Sequence, residues 1–184
     1  MTDVRSEPDP FSFESVVRRR PTDREYVPLH IIMAAAREPG TVVGFSLADF
    51  TEIMRKAGML GLRDANRFIG DFVFGFFPAK APRTYLTWPA PFLLVPASLG
   101  VDVGATVAAI RRQSAGRRLE LKPGVTAELR IGAGVADFDG VHDDAVVDAI
   151  ERLNEDLRRL DPDSPAILPE PDDWRPFFPA DRTP

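Results

Sequence analysis

With two histidines and no cysteine, this 184-residue chain has few groups able to do chemistry. One histidine lies inside the densest run of acids, ADFDGVHDDAVVDAIERL, residues 136 to 153. There Asp137, Asp139, His142, Asp143 and Asp144 supply hard carboxylate oxygens and one imidazole, a donor set suited to magnesium, calcium or manganese. An EF-hand register would place Asp137, Asp139 and Gly140 at the third, fifth and sixth positions of the loop. It would also place Val135 and Val146 at the first and twelfth, where oxygen ligands are required. The competing reading is structural: DFDG forms a turn, Asp143 or Asp144 caps a helix, and acids in the first turn complement the helix dipole. That reading accounts for every residue of the stretch without a metal or any other cofactor, and it leaves His142 on the surface.

A second candidate lies at TVVGFSLADF. A β-branched run leads into G-F-S-L-A and then a helix, close to the nucleophile elbow G-x-S-x-G with Ala48 in place of the last glycine. Ser46 would be the nucleophile, Asp137 or Asp139 the acid and His142 the base of a small hydrolase. Against this, the acid and the histidine lie a few residues apart on one turn, and no oxyanion-loop glycines precede the strand. The simpler role expected for Ser46 is N-cap of the following helix. Neither G-x-x-x-x-G-K-[ST] nor G-x-G-x-x-G occurs, and Gly132 and Gly134 read as strand-end or bulge glycines.

The elements that would position these residues follow from spacing. Pro28 opens a helix with Leu29, Ile32, Met33 and Ala36 on one face, stopped by EPG at 38 to 40. Leu47, Phe50, Ile53, Met54 and Ala57 form one helical stripe; Leu62, Ala65, Ile69, Phe72, Val73 and Phe76 form another. With AGMLG between them they make a helical hairpin. Read as a helix-turn-helix, the pair would present Arg63 and Arg67 to DNA, but Asp49, Glu52, Asp64 and Asp71 balance its charge, and DNA recognition needs a basic surface. Five prolines between residues 78 and 96 rule out a helix there and predict extended pieces, TYLTW and PFLLVP, at an edge or in a loop. Asp102 caps a short helix. Leu119 and Leu121, then Ala127, Leu129 and Ile131, alternate around PG at 123 to 124 as an antiparallel β-hairpin. A C-terminal amphipathic helix runs over about 143–160.

This mixed order predicts a single α+β domain over residues 22–160, with proline-rich terminal arms at 1–21 and 161–184. The 44% apolar and 28% charged composition is that of a globular domain. The stretch at 72–100 is too interrupted to span a bilayer, the N-terminus lacks the pattern of an export signal, and the missing cysteines fit the cytoplasm. Residues 137–184 carry 14 acids against 5 arginines, so the formal net charge of −5 hides a net positive remainder. This balance argues against a nucleic-acid partner.

The tail DPDSPAILPEPDDWRPFFPADRTP joins seven prolines to Ile167, Leu168, Trp174, Phe177 and Phe178. A solvating tail would avoid such residues, so they read as anchors that either clasp the domain itself or dock on another subunit. The function expected from these features is a non-enzymatic interaction or assembly subunit, a structural component or accessory chaperone whose arms contact a protein partner or a second copy. The Ser46 hydrolase, the aspartate metal site and the helix-turn-helix remain as alternatives.

Overall fold

A computed structural model describes residues 38–86, 90–141 and 144–167. It is an α+β domain, as expected. In chain order the elements are β1 (Gly40–Leu47), α1 (Phe50–Phe74), β2 (Arg83–Leu86), β3 (Ala90–Pro96), a single 3₁₀ turn (Ala97–Leu99), α2 (Val103–Ser114), β4 (Arg118–Lys122), β5 (Val125–Glu128), β6 (Ile131–Phe138) and α3 (Asp144–Leu160). One sheet has the order β2-β3-β1-β6 and the other is the β4-β5 hairpin. All pairings are antiparallel, with Val42 opposite both Leu94 and Ala136 at the centre of the main sheet.

Strand alternation divides β1 between two apolar layers. Val43, Phe45 and Leu47 point into a layer with Leu93, Val95, α1, α2 and the β4-β5 hairpin, where the Phe45 and Phe77 rings lie 6.2 Å apart. Val42 joins Phe92, Leu94, Ala136 and Phe138 on the other face, under Val146, Ile150, Leu153 and Leu157 of α3. Burying both faces explains why β1 reads as a near-continuous apolar run.

Strand β6 is an edge of the main sheet, and α3 covers it with polar side chains as well as apolar ones. The Ala133 N–H donates to Asp156 Oδ2 at 2.9 Å, and Arg152 Nη1 donates to the Val135 carbonyl at 2.6 Å. Two outward backbone groups of the edge thereby gain partners, which blunts it as a template for strand addition. Gly134 lies beneath α3. A Cβ there would stand 1.9 Å from the Ala149 carbonyl oxygen, so this glycine lets helix and sheet approach closely and is not a bulge.

The break expected between the two helical stripes is present: α1 is two helical segments joined at Gly58, whose φ of 70° and ψ of −176° only glycine adopts readily. Gly61, the last residue of AGMLG, lies past that break and is buried inside α1. Other local expectations are corrected. The extended pieces around the prolines form the β2-β3 hairpin, and β3 is a central strand, tolerated because Pro91 and Pro96 lie near its ends. Ile131 begins a new strand and does not continue the β4-β5 hairpin. Asp102 caps α2 as expected, its Oδ1 accepting from the Ala105 N–H at 2.8 Å. The helix expected at 28–36 and the N-terminal arm lie outside the described residues.

Candidate functional site

Two features stand out along α1, one at its start and one around its break. The first is a charged junction. Asp49 occupies the N-cap position of α1, yet its side chain makes no capping hydrogen bond. Its two carboxylate oxygens accept instead from Arg130, which donates through Nε at 2.8 Å and through Nη2. The remaining terminal nitrogen, Nη1, donates to the Leu160 carbonyl at 2.7 Å. A bidentate guanidinium–carboxylate pair is the strong form of such a contact. The Asp49 hydrogen bond raises the Arg130 pKa against the opposing effect of burial, so this cation stays charged.

The second feature is the outer surface of α1 around its break. Met54, Met59 and Leu60 are 38%, 53% and 66% exposed, a concentration of uncovered apolar side chains beside Gly58. Basic residues flank them: Arg55, Lys56, Arg63 and Arg67 are all exposed. Glu52 pairs with both Lys56 (2.8 Å) and Arg55 (2.9 Å), and these hydrogen bonds, that of Lys56 foremost, hold its carboxyl below the usual range. Arg63 rests loosely on Asp64 at 3.4 Å. Thioether and aliphatic side chains offer an adaptable surface for a flat ring. Guanidinium groups match phosphates and the O6/N7 edge of guanine bidentately. This surface thus sets exposed apolar side chains beside cationic ones.

Among the described residues, those singled out from the sequence do not form one cluster. Ser46 is 2% exposed within β1, paired with Gly132, and is not at the strand-helix turn; Asp49 takes the N-cap position expected for it. Asp137 lies opposite Thr41, five positions along the same ladder. At about 3.3 Å per residue, Ser46 and Asp137 stand roughly 16 Å apart along the strands. Asp139 is exposed and accepts from the Val141 N–H at 2.8 Å, a turn contact. Asp144 begins α3, while His142 and Asp143 lie outside the described residues. Among the described residues no group of three or more histidine, aspartate or glutamate side chains stands close enough to hold a metal ion.

Of the tail anchors, Ile167 packs into the layer under α3. Leu168, Trp174, Phe177 and Phe178 lie outside the described residues. Among the described residues no helix is long and apolar enough to cross a membrane.

No family model matches the chain, and no curated protein matches it. Solved structures do. The GGDEF domain of FimX from Pseudomonas aeruginosa is similar at a TM-score of 0.58 and 16% identity, covering 84% of this chain and 95% of that one. Diguanylate cyclase SiaD from the same organism, in complex with its activator SiaC, is similar at a TM-score of 0.55 and 12% identity, covering 82% of this chain and 55% of that one. The coiled coil and GGDEF domain of DgcB from Caulobacter crescentus, in complex with c-di-GMP, matches at 0.51 and 16%, over 70% of this chain and 69% of that one.

At these identities the likeness establishes a shared fold. It also overturns the expectation of an assembly subunit, structural component or chaperone, and with it the helix-turn-helix alternative. The neighbours of this fold are GGDEF domains, one of them a named cyclase. The two helical stripes joined at Gly58 are legible in the sequence, whereas the exposure of the methionines around the join is not.

Proposed function

We propose that this chain is a guanine-nucleotide-handling domain of cyclic-di-GMP chemistry, with the outer surface of α1 as its ligand surface. The observation that carries this reading is the match of the whole α+β arrangement, over 84% of the chain, to a GGDEF domain. A neighbour of the same fold holds c-di-GMP. The exposed Met54, Met59 and Leu60 supply stacking area for a base, while Arg63 and Arg67, one helical turn apart, supply guanidinium groups for phosphate and guanine. The five-residue sequence spelled by the neighbours' name does not occur in this chain. Binding is accordingly the part of that chemistry which the described residues best equip it for. A protein that controls or is controlled by this domain fits the same reading, since SiaD is held by its activator.

The test is equilibrium dialysis of the full chain against labelled c-di-GMP and labelled GTP with magnesium or manganese, followed by chromatography of the nucleotides. Retention of either guanine nucleotide, with or without conversion of GTP to the cyclic dinucleotide, supports the reading. Retention of neither overturns it.

A further inference from the structure

The chain does not leave the domain at the end of α3. The Asp161 N–H donates to the Leu157 carbonyl at 2.8 Å and the Ser164 N–H to the Asp161 carbonyl at 3.0 Å, which turns residues 161–167 back toward the helix. Asn154 then holds Ile167 at two points. Its Nδ2 donates to the Ile167 carbonyl and its Oδ1 accepts from the Ile167 N–H, both at 2.7 Å. Each residue is 9% exposed, so the side-chain amide replaces water for a buried backbone unit. The Ile167 side chain enters the apolar layer beneath α3 alongside Ala149, Ile150 and Leu153.

The last turn of α3 is thus fixed from one side by this returning segment. From the other side, its final carbonyl, at Leu160, accepts from Arg130. That carbonyl is one of the four left without an intrahelical partner at a helix end. The same guanidinium occupies both oxygens of Asp49, and the Arg130 carbonyl accepts from the Ala48 N–H at 2.9 Å. One side chain therefore spans from the end of α3 to the start of α1. The carboxylate at the N-cap position of α1 is committed to Arg130 and does not cap the helix.

We propose that residues 161–167 are a strap whose attachment sets the first turn of α1 through Arg130. With the strap in place, the Leu160 carbonyl holds Arg130, and Arg130 keeps Asp49 turned away from the α1 amides. When the Asn154–Ile167 clasp opens, the end of α3 frays and Arg130 loses an acceptor. Asp49 is then free to change partner, and the turn that carries Glu52, Arg55 and Lys56 changes with it. This coupling is a property of the fold and stands whether or not a nucleotide binds α1.

Amide hydrogen exchange on the full chain tests it. Asn154→Ala is expected to speed exchange several-fold in residues 161–167 and also to change it in residues 51–55. In an Arg130→Gln background, Asn154→Ala should leave residues 51–55 where Arg130→Gln alone puts them. If Asn154→Ala does not fold, Asn154→Asp, which keeps the acceptor for the Ile167 N–H and loses the donor, is read in the same way. A change confined to residues 161–167, or an equal effect on residues 51–55 with and without Arg130, would overturn the proposal.

Discussion

Arg130 and Asp49 stand 81 residues apart in sequence and share a bidentate pair at the point where β1 becomes α1. A cap residue at the start of a helix ordinarily accepts from the helix's own amides. Here the carboxylate closes a long-range contact between the residue before α1 and the residue before β6, while the guanidinium also ends α3 at Leu160. The pair is partly exposed, with side-chain exposures of 36% and 17%. Solvent screening therefore lowers its worth below that of a buried charged hydrogen bond.

Replacing Arg130 by methionine should lower stability by roughly 1 to 2 kcal/mol, the range for lost charge-assisted bonds at a partly exposed site. Lysine should restore only part of this, because a single ammonium cannot reproduce the fork on Asp49 and the bond to Leu160 together. Urea unfolding of the two variants measures the difference; equal midpoints for methionine and wild type would show the pair to be energetically silent.

Two glycine substitutions separate packing from conformation. Gly134→Ala drives a methyl into the Ala149 carbonyl of α3, a clash that only a backbone shift relieves, and should cost about 2 kcal/mol or more. Gly116→Ala meets nothing within 4 Å but sits at φ +71°, so its cost should be near 1 kcal/mol. Thermal melting of both should place Gly134→Ala clearly lower, and the reverse order would contradict the close approach of α3 to β6.

Asn66 is 3% exposed; its Nδ2 donates to the Leu62 carbonyl, while its Oδ1 is buried without a hydrogen-bond partner. An unmade bond of this kind costs about 1 to 3 kcal/mol relative to a shape-matched apolar group. Asn66→Leu should be neutral or stabilising by up to about 1 kcal/mol in chemical denaturation. A marked loss of stability would mean that the amide has a role the fold alone does not reveal.

The Glu52 carboxyl is held below its ordinary pKa by Lys56 and Arg55. A depressed folded-state value means that its contribution is fully present above the unfolded-state pKa and is lost as pH falls through the folded one. The melting difference between wild type and Glu52→Gln should therefore be greatest at neutral pH, shrink through the carboxylate range and vanish in stronger acid. A difference independent of pH would assign the effect to something other than charge.

How much of this was legible in the sequence differs by element. Apolar spacing located α3, the β4-β5 hairpin and the two stripes of α1, because each buries one face only and its period survives in the residue order. Asp102 was readable as a cap because its contact is local. β3 was misplaced at an edge because its prolines argue against a central strand, and only the register with β1 and β2 shows that they fall near its ends. Gly134 looked like a bulge because the helix that needs its missing Cβ arrives fifteen residues later in the chain, at Ala149. The Asp49–Arg130 junction left no local trace at all. The methionines around Gly58 were visible, but periodicity cannot tell an apolar residue facing the core from one left exposed.

The most direct measurement is calorimetric titration of the full chain with c-di-GMP, compared with ATP and repeated on the Arg63→Glu/Arg67→Glu double variant. Saturable binding of c-di-GMP that ATP does not match, weakened tenfold or more in the double variant while melting is unchanged, is the predicted result. No heat of binding for c-di-GMP at concentrations up to about 1 mM, where an interaction weaker than about −4 kcal/mol would remain unseen, would contradict the assignment of α1 as a guanine-nucleotide surface.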